Sequence, residues 1–255
     1  MGIVDTVQGL MSRRVLLNYR IDPDVLRRVL PSPFRPKLYD GVGMGGICMI
    51  RFKNLRPRFF PEWFGLGSEN AAHRIAVEWE QDGELYEGVY VPRRDTNSVI
   101  NSLVGGRLFP GIFSRSTFKV DERRGKVSVS IVRQDGGREI DFAGKIADEM
   151  PASSVFPSLD AATEFFLRGS TGYSKAGKEG HYHGMELECI AWGIRPMVVE
   201  TAESCFFGDI ERFPRGAVEL DCALLMNDIE HRWHGRPDLY LDPQSLCFTA
   251  ECPKG

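Results

Sequence analysis

The chain has 255 residues, 42% of them hydrophobic and 26% charged, and its 32 basic and 35 acidic side chains leave a formal net charge of -3. This is globular composition, and it excludes a disordered chain. The near-balance of charge argues against a dedicated nucleic-acid binder, which carries a basic excess. No apolar run approaches the ~18 residues of a membrane-spanning helix, and residues 1–10 lack the basic start and apolar stretch of a secretory signal. Six cysteines without a C-x-x-C pair read as reduced, mostly buried thiols. A cytoplasmic protein with neither nucleic acid nor membrane as partner is expected.

Arg14–Arg20 reads as a strand. Asp22 then offers a helix N-cap with Pro23 at the first helical position, and Val25, Leu26, Val29 and Leu30 keep helical spacing until Pro31. Gly41–Phe52 reads as a strand whose glycines permit close backbone approach. Arg74–Glu80 alternates, Asp82-Gly83 forms a hairpin turn, and Leu85–Val91 returns. Thr117–Val120 and Lys126–Val132 repeat the pattern around Arg124-Gly125, and Gly136-Gly137 marks another turn. Leu159–Leu167 is predicted as a second helix, entered through Pro157-Ser158 and ended by Gly169. Met185–Ile190 and Met197–Glu203 read as strands, and Ala217–Met226 fits either strand or helix. Many short strands with two or three short helices predict a β-rich α+β domain, a barrel or strongly curved sheet, spanning residues 1–255 without a linker.

The densest polar cluster lies between Ser68 and Arg107. It holds Glu69, His73, Arg93, Arg94, Asp95 and Asn101, and ends in Gly105-Gly106-Arg107. Charged residues at strand ends before a Gly-Gly turn describe the rim of a concave site. An arginine fork holds a carboxylate through two parallel hydrogen bonds, and a glutamate tuned by burial moves protons. The competing reading is an ion-pair network that ties loops to a barrel. His181 and His183 form an H-x-H, but no carboxylate or thiol sits at a recognised interval, so no metal is expected, and Lys175–Gly180 reads as a loop. Gly41–Gly46 lacks the strand–turn–helix context of a phosphate loop. Arg51–Arg58 reads as a loop of solvated charges and apolar anchors, and the aromatic stretch Phe59–Phe64 calls for a lid or a homodimer contact.

Ser68–Trp79, Val89–Pro110, Phe156–Ser174 and Phe206–Pro214, with Ala223–Met226 downstream, resemble the uncharacterised YqjF-like family over residues 12–235. That family is placed in the acetoacetate decarboxylase-like superfamily. Asp22 followed by Leu26–Pro33 is similar to the decarboxylase's opening strand, helix and Pro-x-Pro. The resemblance implies a closed, cone-like antiparallel β-barrel with short outer helices and a pocket inside. The decarboxylase works through a Schiff-base lysine. The matching stretch here, Val99–Phe109, has no lysine, and Arg107 stands near its place. The family's pocket glutamate suits Glu69, and its N-terminal arginine falls on Arg13 or Arg14, a one-residue choice that flips the strand face.

The expected function is thus a small-molecule-binding barrel acting on a small oxo-acid or related polar metabolite. Enolate-type acid/base chemistry of a lyase or isomerase is expected, without a Schiff base, cofactor or metal. Arg107 and Arg94 would hold the carboxylate, and Glu69 would move a proton with His73 or Tyr173. Arg93, Asp95, Asn101 and Arg13 would complete the binding site. The alternative is a non-catalytic ligand-binding or sensor protein on the same barrel.

Overall fold

The computed structural model describes residues 6–98, 113–190 and 193–241. The chain opens with β1 (Thr6–Ile21) and α1 (Pro23–Val29), then two short strands, β2 (Arg35–Pro36) and β3 (Leu38–Tyr39). Three long strands follow: β4 (Val42–Pro57), β5 (Leu66–Gln81) and β6 (Glu84–Thr96). A meander of β7 (Phe113–Arg123), β8 (Lys126–Arg133) and β9 (Arg138–Ile146) leads to α2 (Leu159–Leu167). The chain finishes with β10 (Thr171–Lys175), β11 (His181–Cys189), β12 (Arg195–Ser204), β13 (Val218–Met226) and β14 (Ile229–Tyr240).

Local chemistry accounts for the element ends. Asp82-Gly83 and Arg124-Gly125 take positive φ at both residues, as tight hairpin turns matched to strand twist require. The Asp22 carboxylate accepts from the backbone N–H groups of Asp24 (2.7 Å) and Val25 (3.3 Å) at the start of α1. Ser158 Oγ accepts from the Ala161 N–H at 3.1 Å and caps α2.

Longer strands than the local pattern marks out are the main difference from the sequence reading. β1 begins at Thr6 rather than Arg14, and β5 at Leu66 rather than Arg74. Arg51–Pro57 is the end of β4, not a loop. Ala217–Met226 resolves to a strand, since β13 pairs with both β1 and β12. In each case cross-strand partners distant in sequence supply the hydrogen bonds, which no local propensity records.

All fourteen strands join one sheet, and that sheet closes on itself twice. The pairings β1–β4 and β10–β6 close a ring through β1, β4, β5, β6, β10, β11 and β14. A second ring runs through β1, β4, β5, β6, β7, β8, β9, β12 and β13. Hence β1, β4, β5 and β6 form a wall common to both rings, with an interior on each side. This explains why Gly43 through Ile50 is buried at every position: a strand covered on both faces reads as a continuous apolar run rather than an alternation. One apolar cluster, with Leu16, Cys48, Ile50 and Phe52, faces the seven-strand ring and is closed by Phe165 and Phe166 of α2. The other, with Val15, Leu17, Ile47, Met49, Ile131 and Phe142, fills the nine-strand ring. Close packing of the wall demands glycine at Gly46, where a Cβ would press against the Leu17 carbonyl and Asn18.

Candidate functional site

The pleat of the common wall sorts its polar residues into two sets. Directly opposed residues of paired strands share a face. Arg14 lies opposite Ile50 and Ile50 opposite Asn70; Leu16 lies opposite Cys48, Cys48 opposite Ala72, and Ala72 opposite Arg94. Asn18, Gly46 and Arg74 make a third row on the same face. On the other face stand Arg13, Arg51 and Glu69, then Val15, Met49, Ala71 and Asp95, then Leu17, Ile47, His73 and Arg93. A register shift between Met11 and Arg13 sets this alternation in β1. It decides the Arg13/Arg14 question: Arg14 faces the seven-strand ring, Arg13 the nine-strand ring.

The seven-strand ring encloses a cavity of about 100 Å³, counted as space open to the centre of a water-sized sphere. One water needs about 10–15 Å³ by this measure, so a small organic molecule fits. Its walls are largely apolar, with Leu16, Ile50, Phe165, Phe166 and Leu187 among them, and Arg14, Arg74 and Arg94 all line it. No Asp or Glu lines it among the described residues. Arg14 Nε donates to Cys48 Sγ at 3.2 Å, and Arg94 donates to Ser174 Oγ at 3.2 Å. Arg74 donates to Asn18 Oδ1, and its guanidinium lies 4.9 Å from the Phe166 ring centroid. Arg74 forms no ion pair among the described residues, and its buried Nε has no hydrogen-bond partner there. Burial pushes the Arg74 and Arg94 guanidiniums down to about 10, so both stay charged at neutral pH while the site disfavours that charge. Lys37 also lines the cavity, but its Nζ is engaged by Glu87 at 2.5 Å.

The opposite face is electrostatically closed. Glu69 is bound by Arg13 and by Arg51 (Nε–Oε1 2.5 Å), and Glu122 bridges the same two arginines at 2.6 and 2.9 Å. Arg93 grips Asp95 with both arms, at 2.8 and 2.9 Å, and Ser116 Oγ donates to Asp95 at 2.8 Å. Glu139 receives Arg93 at 3.3 Å and Arg133 at 3.2 Å. His73 is fully buried against Phe206 and Phe207, and burial pushes it down to about 3, so its imidazole is neutral. Tyr173, on β10 of the seven-strand ring, does not line the cavity: it packs in the apolar cluster that also holds Phe207 and donates to the Pro237 carbonyl at 3.2 Å.

The sequence reading groups Glu69, His73, Arg93, Asp95, Arg13 and Tyr173 with Arg94 in one site, the first four of them on one rim with it. The structure separates them: Arg94 lies in the cavity and the other six do not line it. The physical reason is that Ser68–Arg74 and Pro92–Thr96 are strand, not loop, so neighbours point to opposite chambers. Arg107 and Asn101 lie outside the described residues. Of the cavity's cations, the resemblance offers Arg14 as the alternative to Arg13, whereas sequence reasoning misses Arg74. The signal available was parity: Arg74, Ala72 and Asn70 share the period that leaves out Glu69 and His73.

Residues 11–209 match the DUF2071 family, described as an uncharacterized conserved protein, and the chain belongs to that family. No curated protein matches the sequence. Among solved structures, acetoacetate decarboxylase from Legionella pneumophila superposes with a TM-score of 0.61 at 11% identity, over 94% of this chain and 89% of that one. An acetoacetate decarboxylase-like enzyme from Sphingomonas wittichii gives 0.58 at 13% identity, over 94% of both chains. The enduracididine biosynthesis enzyme MppR, described as complexed with pyruvate, gives 0.59 at 11% identity, over 94% of this chain and 90% of that one. At these identities the likeness establishes the fold, an acetoacetate decarboxylase-like β-barrel, and not the chemistry. No helix among the described residues is long and apolar enough to cross a membrane.

Two predictions follow from the closed face. Glu69→Ala leaves Arg13 buried with only Glu122. It is expected to lower unfolding free energy by about 2–3 kcal/mol, below the ~3–5 of a fully broken buried pair, while leaving ligand affinity within about twofold. Denaturant unfolding and titration calorimetry check the two halves. The second concerns pH. His73 protonates near 6.5 unfolded but only near 3 folded, so its contribution to stability is complete above pH 6.5 and declines as pH falls toward 3. The slope is about 1.4 kcal/mol per pH unit. Burial raises the Glu139 carboxyl, which acts in the opposite sense, so the comparison is with His73→Gln. Between pH 6 and 4 the variant's stability should fall less steeply than wild type by about that slope; parallel curves would contradict a buried neutral histidine.

Proposed function

We propose that the seven-strand ring is a receptor for a small organic anion, an oxo-acid with a compact apolar body in the first place. The observation that carries this reading is Arg74: a buried guanidinium facing a cavity, without an ion-pair partner among the described residues. An uncompensated buried charge costs several kcal/mol, and a ligand carboxylate bound to the fork would offset that cost through charge-assisted hydrogen bonds. Arg14 and Arg94, on the same wall, add positive potential, while Phe165, Phe166 and Leu187 take the apolar part. MppR, of the same fold, is described with pyruvate bound, which supports an oxo-acid as ligand class.

On this reading the arginines hold the carboxylate and stabilise negative charge developing on the neighbouring carbonyl oxygen, as fixed donors do for an enolate. Proton transfer by Glu69 has no support from its placement, because both its oxygens are taken up by arginines in the other ring. A non-catalytic ligand-binding role is the second reading. It is favoured by the absence of Asp, Glu and His from the cavity lining among the described residues.

The test is a calorimetric and thermal-shift titration with pyruvate, longer 2-oxo acids and their neutral amides, on wild type and Arg74→Met. Wild type should bind the acids and ignore the amides. Arg74→Met should weaken acid binding by roughly 10- to 100-fold, the ~1.5–3 kcal/mol of a charged hydrogen bond. Its melting temperature should be unchanged or higher, since an apolar side chain replaces a desolvated charge. Equal binding of acids by both proteins, or a collapse of the variant's fold, would overturn the assignment.

A further inference from the structure

The pairing of β11 with β14 assembles a second group of chemistry-bearing residues outside the cavity lining. His181 and His183 stand two residues apart on β11. The ladder pairs His181 with Tyr240 and Tyr182 with Leu239, then shifts register before Gly184 meets Arg236. Asp238, the residue before Leu239 on β14, thereby lies beside both histidines. One carboxylate oxygen, Asp238 Oδ2, lies 2.9 Å from His181 Nε2 and 3.1 Å from His183 Nδ1. The three donor atoms lie within 4.8 Å of one another, and the side chains are partly exposed, at 18%, 32% and 30%.

We propose that His181, His183 and Asp238 form a binding site for a divalent transition-metal cation of the zinc type. Two imidazole nitrogens and one carboxylate oxygen are a donor set that zinc-class ions favour, and three protein ligands leave positions open for water or a small molecule. Convergence of both imidazoles on one oxygen gathers the donors where an ion can sit between them, replacing two hydrogen bonds by three coordinate bonds. The surroundings hold each ligand in place. The Tyr240 ring stacks on His181, with centroids 4.4 Å apart and planes at 14°, and its hydroxyl donates to Asp238 Oδ2 at 3.4 Å. The Pro237 carbonyl just before Asp238 accepts from Tyr173. Gly180, at φ +68°, turns the chain into His181, and its carbonyl accepts from the Leu241 N–H at 2.8 Å. Outer-shell support of this kind fixes ring orientation in metal sites. The nearby cation of Arg236 is engaged by Glu186 at 2.5 Å.

The test uses the full chain, purified without a histidine tag and stripped with chelator. Titration with Co²⁺ should give a visible ligand-field absorption that saturates at one equivalent, and Zn²⁺ should displace it. His183→Gln and Asp238→Asn should each weaken binding by at least about tenfold to a hundredfold, since even outer-shell changes reach that range. His234→Gln, which alters a histidine paired with Glu188 elsewhere on β14, should leave it unchanged. Circular dichroism verifies that each variant is folded. A measurement without variants runs alongside: imidazole ¹⁵N spectra with Zn²⁺ should shift at His181 Nε2 and His183 Nδ1. No absorption at one equivalent, equal affinity in the His183 and Asp238 variants, or shifts confined to His234 would overturn the site and leave a plain ion-paired cluster.

Discussion

The wall shared by the two rings is the constraint on which the rest of the molecule depends. In the buried middle of β1, β4, β5 and β6 each side chain points into one chamber or the other, and strand geometry allows no intermediate. Both sides are interior, so every charge on this wall must be paired, be desolvated at a cost, or meet a ligand. The register shift between Met11 and Arg13 in β1 therefore has consequences beyond its own strand. It selects Arg14 for the cavity and Arg13 for the ion-paired chamber.

The two chambers resolve the same electrostatic problem differently. In the nine-strand ring, Arg13, Arg51, Arg93 and Arg133 are matched by Glu69, Glu122, Asp95 and Glu139. Such a network contributes little net stability compared with an apolar core, but loss of one member leaves its partner stranded, and so it pins register and ring closure. In the seven-strand ring Arg74 has an amide and an aromatic face for company, and burial works against its charge. A fold that retains this arrangement gives up stability at a position that an apolar residue would fill more comfortably. The proposed ligand site accounts for that cost, since activity and stability commonly trade against each other at binding positions.

Much of the architecture was legible in the chain. The Asp82-Gly83 and Arg124-Gly125 turns, the Asp22 cap and the helix Leu159–Leu167 carry local signals, and local physics sets them. Resemblance in ordered motifs led to the family and the barrel, which the match over residues 11–209 and the solved structures establish. The site was harder to read for two reasons. Ser68–His73 is polar enough to pass for a loop, and only pairing with β4 and β6 makes it a strand whose pleat divides Glu69 and His73 from Asn70 and Arg74. Asp238 stands 57 residues from His181 and meets it only because β14 lies beside β11. Contacts of that range are set by topology, and no spacing rule in the sequence anticipates them.

The central claim is that this wall presents its ligand-binding charge to the seven-strand ring alone. A crystal structure of the chain soaked with pyruvate tests it most directly. The account predicts a carboxylate inside that ring, its oxygens about 2.7–2.9 Å from the Arg74 guanidinium, with the Arg13–Glu69 and Arg93–Asp95 pairs undisturbed. A carboxylate bound to Arg13, Arg51 or Arg93 in the nine-strand ring, with Arg74 still held only by Asn18, would contradict it.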